Sequence, residues 1–519
     1  MLITDYLQAN ASVRGDKKAI VFIGKTVSGT AIRTSVTWNE FNDMSDRVAK
    51  LIKRSGAKKG DKAAIVLPNC LEWLPIYLGI LKAGAVAVPI NSNNSADEIK
   101  YCLELSDCVC AFFMYGDGIS DAAVEVGSLT SVWYLGEDVP EHKNDLMKCL
   151  AEMPVTDSDT EIKETDVAVI YFSSGTTGRS KAVMLSHKAL SCGAVTELSH
   201  HMQEQRDNFL CVAPFYHTGA MVHWLGTLAV GGCVVVNNIR SPKKISEIIE
   251  SEKVGIAWLV VPQIQDILDL IDEGVIRKEC FASMRLMHTG AQPIPRELMM
   301  RWRSMFPAMS IDVSYGLTEA TGPGCIDMGI DTIEKLGSIG KLARGWEAIV
   351  VDSEDNKLEP YAVGELFLRG PGVMTGYYKD AEATESVLRG GWLHTGDMVY
   401  KDCDGYYYLV DRKKDVIIVG GENVYPVQLE NFFRQFEFVK DAAVIGIPNP
   451  RMGESVAVII ELKSGYRCSK SEIRKLCSEL PEYQRPLRIL FDDIIRNTTG
   501  KINRAAMRAR YLSSREKKQ

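Results

Sequence analysis

Between Lys62 and Ile90 the apolar positions change period twice. Ala63 to Leu67 is a short apolar run and predicts a strand. Leu71 to Ala83 carries apolar residues at helical spacing and stops at Gly84. Ala85 to Pro89 predicts a second strand. Strand, helix and strand in that order make a βαβ unit and point to a parallel sheet. The alternation recurs from about 187 to 318, with strands expected at Asn208–Val212, Gly232–Val236 and Gly255–Val261. After about 330 glycine and proline become dense and the strands short: Ala348–Asp352, Gly364–Arg369 and Tyr406–Val410. That texture predicts a small barrel-like β subdomain. A charged run, Asp411 to Asp415, then leads into an α+β unit. Its strands are Asp441–Ile447 and Glu454–Leu462, the second alternating at Val456, Val458 and Ile460. Ser469 and Glu472 form a capping box, and Ile473, Leu476, Cys477 and Leu480 share a helix face. Ser513 to Gln519 reads as a frayed polar tail. The expected fold is α/β. Residues 1–413 form a large N-terminal domain of parallel-rich α/β sheets with the β subdomain, and 414–519 a small C-terminal α+β domain.

The densest chemistry follows the apolar run Val167–Phe172, read as a buried strand. Ser173 to Lys181 holds two glycines, five hydroxyl residues and two cations. Glycines let backbone N–H groups approach an anion, hydroxyls add donors, and Lys181 adds a point charge. A helix is expected from Ser186, a suitable N-cap. The arrangement reads as a polyphosphate cradle, with a flexible linker as the plain alternative. It is not the P-loop of ordinary NTPases, because Gly178 is followed by Arg179-Ser180.

Composition narrows the setting. A chain of 519 residues needs more than one core. A net charge of −7 argues against a nucleic-acid binder. The start, Met1 to Asp5, lacks a basic and apolar leader, and the 13 scattered cysteines suit a reducing cytoplasm. Cys102, Cys108 and Cys110 cluster without partners to complete a metal site. The most apolar stretch, Leu74 to Ile90, contains Lys82, glycines and prolines. It reads as core rather than as an integral membrane segment.

The run Tyr171–Lys181 resembles the phosphate loop of the AMP-forming acyl-adenylating enzymes: acyl-CoA synthetases, aryl- and coumarate-CoA ligases, firefly-type luciferases and peptide-synthetase adenylation domains. Their loop usually ends Pro-Lys-Gly. Here it ends Ser180-Lys181-Ala182, keeping the lysine. The resemblance implies that Ser173, Ser174, Gly175, Thr176, Thr177, Gly178 and Lys181 hold the phosphates of ATP, with Thr176 and Glu319 as Mg²⁺ ligands. Further segments match in family order. Ala213 to Gly219 carries His217, which read alone is a packed or surface histidine. The resemblance sets it beside the substrate carboxylate. Gly290, Ala291 and Gln292 would flank adenine. Ser314 to Glu319 would supply Ser314, Tyr315 and Gly316 to the base, Thr318 to the α-phosphate and Glu319 to the metal. Asp397 and Arg412 would contact ribose and phosphate. Lys414 matches a hinge about which the small domain moves, and Gly420 and Gly421 match the turn lining a pantetheine tunnel. Lys501, in Thr499-Gly500-Lys501, matches the lysine that touches carboxylate and α-phosphate.

The implied reaction has two halves. A carboxylate attacks ATP to give acyl-AMP and pyrophosphate, and the thiol of coenzyme A then displaces AMP. The segments matching the pocket carry Phe215, Tyr216, Met221, Val222 and Trp224 and no Arg or Lys. That implies an alkyl, alicyclic or aryl monocarboxylic acid. Transfer to a carrier protein, a luciferase and a non-catalytic relative remain open, and the oligomeric state is not legible.

Overall fold

The computed structural model describes residues 1–116, 118, 125–156, 160–173, 180–290, 294–327, 333–496 and 502–516. The chain forms two compact units. The first comprises 1–291, 297–347 and 368–393, the second 292–296, 348–367 and 394–519.

The first unit holds a nine-stranded and a seven-stranded sheet. In the larger, Ser310–Leu317, Leu286–Gly290, Val254–Trp258, Asn208–Cys211, Cys233–Asn237 and Lys18–Lys25 lie side by side in that order, all parallel. Antiparallel strands flank this block, Gly322–Asp327 at one end and Ala31–Thr37 at the other. In the smaller, Val167–Ser173, Val86–Pro89, Lys62–Val66, Cys108–Met114 and Ser131–Leu135 are parallel. The expected βαβ unit is present as Lys62–Val66, helix Trp73–Lys82 and Val86–Pro89. Every residue of that helix is buried, which is why its sequence is apolar nearly all round. Among the described residues no helix is long and apolar enough to cross a membrane.

Three expectations change. Gly255–Val261 ends as a strand at Trp258, because Val261 and Pro262 open a helix that runs to Asp272. Proline suits a first helical turn, where its missing N–H has no intrahelical acceptor. The phosphate-loop segment does not join a strand to a helix. Lys181–Ser186 is itself a strand, antiparallel to Val167–Ser173 with Ser173 opposite Lys181, and the helix His187–His200 starts after it. Ser186 does cap that helix, accepting from Ala189 N at 3.2 Å. Finally, the helix Arg504–Glu516 runs through Ser513 into the segment expected to fray.

The second unit orders its first sheet as Glu347–Val351, Gly364–Arg369, Trp392–Lys401, with Tyr407–Arg412 paired to the last. Its second sheet is built on the long hairpin Val439–Asn449 and Gly453–Leu462. Val456, Val458 and Ile460 pack on one face beneath helix Pro426–Arg434. Ala457 and Ile459 pack on the other, with Met507 and Tyr511. Both faces are covered, so the alternation expected there distinguishes two cores rather than core from solvent. The Ser469–Glu472 capping box is present, but its helix ends at Leu476 and continues as a 3₁₀ turn over Cys477–Glu479.

Candidate active site

In the first unit the predicted residues converge on Glu319. The strand Ser310–Leu317 ends in a single 3₁₀ turn, Thr318–Ala320, which presents the carboxylate. Its Oε1 accepts from Ser173 Oγ at 3.3 Å and from the Tyr377 hydroxyl at 3.0 Å. Lys181 Nζ lies 4.6 Å from the centroid of the Tyr377 ring. Both ends of the glycine-rich segment, Ser173 and Lys181, therefore meet one acid–tyrosine pair. Thr318 Oγ1 lies 3.4 Å from Thr218 Oγ1, at the start of the helix Thr218–Val230. Ser174, Gly175, Thr176, Thr177 and Gly178 lie outside the described residues, as do Ala291 and Gln292.

The backbone under Glu319 is tightly held. Thr321 stands at φ 67°, a strained setting for a β-branched residue, and Gly322 follows at φ 88°. A Cβ on Gly322 would meet Thr218 O at 2.8 Å, so only glycine lets the helix and the turn approach. Thr321 Oγ1 donates to Gly372 O, and Met374 N to Glu319 O at 2.8 Å. These bonds dock the segment that carries Tyr377. A Cβ on Gly290 would meet Ser314 O at 2.7 Å, so these two predicted residues touch across neighbouring strands. Tyr315 is buried and Gly316 partly so in the same strand.

His217 occupies the N-cap position of the helix Thr218–Val230 without a side-chain cap, its ring 4.6 Å from that of Tyr216. The preceding loop is fixed by Asn69, which accepts from Phe215 N at 3.0 Å and donates to Ala213 O at 3.0 Å. The apolar side chains expected to line a pocket divide. Phe215 packs on Trp73, Trp224 on Tyr77, and Met221 Sδ lies 3.7 Å from the Tyr77 hydroxyl. Those three belong to the core against helix Trp73–Lys82. The helix face bearing Gly219 and His223 instead meets Trp258.

In the second unit Asp397 and Arg412 stand opposite each other on paired strands and form an ion pair, Oδ1 to Nε 2.6 Å. Asp397 is buried and Arg412 exposed. The neighbouring Glu365 carboxylate accepts from Gly396 N at 3.1 Å and pairs with Lys413 at 2.7 Å. Asp411 faces inward and accepts from Val427 N at 2.7 Å and Arg412 N at 2.8 Å, tying its strand to helix Pro426–Arg434. Burial pushes its carboxyl up to about 7, against the pull of Arg504 and the two N–H donors. Lys414 is exposed in the 3₁₀ turn Lys413–Asp415. Gly420 and Gly421, at φ 61° and 92°, make the two-residue turn between strands Ile417–Val419 and Glu422–Val424. Both positive angles are what a type I′ hairpin needs. Lys501 lies outside the described residues. On either side of it, Arg496 bridges Ile502 and Asn503 N donates to Ile495 O at 2.8 Å.

Tyr377, Glu365 and Lys413 were not legible beforehand. Each acts through a partner far away in sequence, and the charged run that contains Lys413 does not reveal Glu365 as its partner.

Comparison with known proteins decides the family. The profile of the AMP-binding enzyme family matches residues 7–378, and that of the AMP-binding enzyme C-terminal domain matches 428–501. The chain belongs to the AMP-binding enzyme family. This family member is 30% identical over 495 residues to the long-chain-fatty-acid–CoA ligase FadD13 of Mycobacterium tuberculosis, covering 92% of this chain and 94% of that one. It is 31% identical to a feruloyl-CoA synthase of an Amycolatopsis species, covering 93% and 96%. ATP-bound MatB of Rhodopseudomonas palustris superposes with a TM-score of 0.87 at 26% identity, covering 98% and 99%. The expected architecture, a large N-terminal α/β domain followed by a small C-terminal one, is that of these adenylate-forming enzymes. Acyl activation by an AMP-forming ligase is the family's chemistry.

Proposed function

We propose that this AMP-binding enzyme joins a monocarboxylic acid to coenzyme A at the expense of ATP. The supporting observation is that Ser173 and Tyr377 both donate to the Glu319 carboxylate, with Lys181 over the Tyr377 ring and Thr318 beside Glu319 in the same turn. Ser173 and Lys181 bracket the glycine-rich loop and hold its ends toward the phosphates. Thr318 donates to the α-phosphate oxygen that gains charge as the acid attacks. Gly290, Ser314, Tyr315 and Gly316 frame the base, and Asp397 with Arg412 takes the ribose. A single hard carboxylate oxygen set among hydroxyls and a lysine fits Mg²⁺, which keeps waters and phosphate oxygens as its other ligands. When bound, Mg²⁺ neutralises phosphate charge. Glu319, with Thr176, would hold it. His217 orients the carboxylate.

Lys501 belongs to the first half-reaction, meeting the charge shared by carboxylate and phosphate. For the second, the domain from 414 onward turns at Lys414 and brings in the Gly420–Gly421 turn. Among the described residues, its chain neighbours aside, nothing lies within 4 Å of the place a Cβ on Gly421 would occupy, which suits the approach of a thiol. The acid is alkyl, alicyclic or aryl, and relatives named for long-chain fatty and feruloyl substrates support that range. The described cysteines are free, which suits a reducing cytoplasm.

The test incubates the protein with ATP, Mg²⁺, coenzyme A and a panel of such acids, following pyrophosphate, AMP and thioester. The reading expects all three for at least one acid. Pyrophosphate with acyl-AMP but no thioester would favour a carrier protein as acceptor. No pyrophosphate with any acid would sink the proposal.

A further inference from the structure

Two residues before Gly290, on the same strand, His288 belongs to a cluster of titratable side chains that the proposed reaction does not use. Glu197 and His201 stand one turn apart at the end of helix His187–His200. His223 comes from the helix Thr218–Val230. All four are at most 4% exposed. The His288 ring lies 4.3 Å from that of His201 and 4.5 Å from that of His223.

Each imidazole is fixed through one nitrogen, His201 and His288 by residues outside the four and His223 by Glu197, one of the four. His201 Nε2 is held by Asp312 at 2.6 Å, His223 Nδ1 by Glu197 at 2.5 Å, and His288 Nε2 by Ser314 at 2.8 Å. The opposite nitrogens, His201 Nδ1, His223 Nε2 and His288 Nδ1, are buried and make no hydrogen bond among the described residues. His201 Nδ1 is 2.7 Å from Glu197 Oε1, close enough for an ion pair but without hydrogen-bond geometry. An imidazole fixed through one nitrogen while the other is left bare is how metal-binding histidines are oriented, often by a carboxylate. One donor atom from each of Glu197, His201, His223 and His288 lies within 4.8 Å of every other.

We propose that Glu197, His201, His223 and His288 bind a divalent transition-metal ion, zinc by donor type, with Asp312 and Ser314 as the orienting outer partners. Imidazole and carboxylate are both zinc donors, and four protein ligands complete a tetrahedral set with no open position. Charge points the same way. Two carboxylates, Glu197 and Asp312, are buried here, and a protonated His201 would balance only one of them. A dication balances both. Arg285, which reaches the His201 carbonyl at 3.0 Å, is already paired with Asp207 at 2.6 Å. Donors around a tetrahedral zinc sit about 3.3 Å apart, so side-chain rotation of roughly an ångström closes the set. The ion would join the helices His187–His200 and Thr218–Val230 to the strand that ends at Gly290.

The test uses the full chain, purified without a histidine tag and dialysed against metal-free buffer, with zinc measured by plasma mass spectrometry. About one zinc per chain is expected, with Co²⁺ substitution giving the intense visible bands of a four-coordinate ion. His223→Leu should lose both. Asp312→Asn should keep the site but weaken Zn²⁺ binding about 10–100-fold, as loss of an outer partner does. The wild-type protein decides the matter if the variants fail to fold. No stoichiometric zinc and no four-coordinate Co²⁺ spectrum would leave a proton-bonded histidine–carboxylate network and overturn the proposal. Zinc equal in wild type and a folded His223→Leu would do the same.

Discussion

At the residue scale, the phosphate site and the buried histidines make different demands. Glu319→Ala should lower kcat about 10²-fold and raise the Mg²⁺ concentration for half-maximal rate, because the carboxylate would hold the Mg²⁺ that meets the charge developing during attack. Asp397→Ala should mainly raise KM for ATP, since ribose contacts are alike in ground and transition states. Steady-state kinetics over a Mg²⁺ series separates them, and equal effects on ATP KM alone would refute the division. His187 tests pH dependence. It is 2% exposed at the start of its helix, and burial lowers its pKa to about 4. The unfolded chain takes up the proton near 6.5, so stability from this group is intact above that pH and is lost as pH falls toward 4. The span amounts to about 3 kcal/mol. Urea unfolding of wild type and His187→Gln at pH 7 and 4.5 should show the wild type losing ground to the variant on acidification. A constant difference between them would refute it. The motif residues were legible because glycine, hydroxyl and charge crowd into short windows. Buried ionisable groups were not. His201, His223 and His288 could not be joined beforehand, since Asp312, Glu197 and Ser314, which hold them, come from a different helix or strand or stand far away in sequence.

At the element scale, Lys82 shows the same blindness. In sequence it interrupts an apolar stretch. In the fold it joins two helices, its Nζ 2.6 Å from Asp46 and 2.8 Å from Asn42 Oδ1, with both charged side chains at most 4% exposed. Lys82→Met should cost about 3–5 kcal/mol, because the buried Asp46 carboxylate loses its counter-charge. Lys82→Met/Asp46→Leu should recover much of the loss in denaturant titration. If the single variant is as stable as wild type, the ion pair is not holding the helices. Strands and helices were otherwise largely visible from their periods. The failures share a cause. Lys181–Ser186 is a short apolar run that period alone cannot assign, and Ser513–Glu516 continues a helix without needing an apolar face of its own.

At the scale of the whole molecule, the two half-reactions give the hinge its test. Lys414→Pro fixes φ near −65° and restricts Lys413 before it. The variant should still release pyrophosphate and accumulate acyl-AMP while losing thioester formation. Lys501→Ala should do the reverse, cutting acyl-AMP formation about 10²-fold while supplied acyl-AMP still reacts with coenzyme A. Single-turnover assays of each step decide. Both steps falling together in either variant would refute the separation. A single domain boundary near Lys414 could be proposed from the charged run and the change of texture. The grouping of 348–367 with 394–519 could not, because the pairing that creates it joins strands separated in sequence.

The pinned ends of the segment around Lys501 carry one more consequence. Arg496 meets Ile502, and Asn503 bonds Ile495, so the two flanks of this segment are held together. Lengthening a closed loop costs little, about 0.6 kcal/mol per doubling. Two glycines inserted after Thr498 should therefore leave the melting temperature nearly unchanged while shifting the reach of the lysine. Homologues could then gain or lose activity here by insertion without passing through an unstable intermediate, which makes this segment a place where evolution can retune the enzyme independently of its fold.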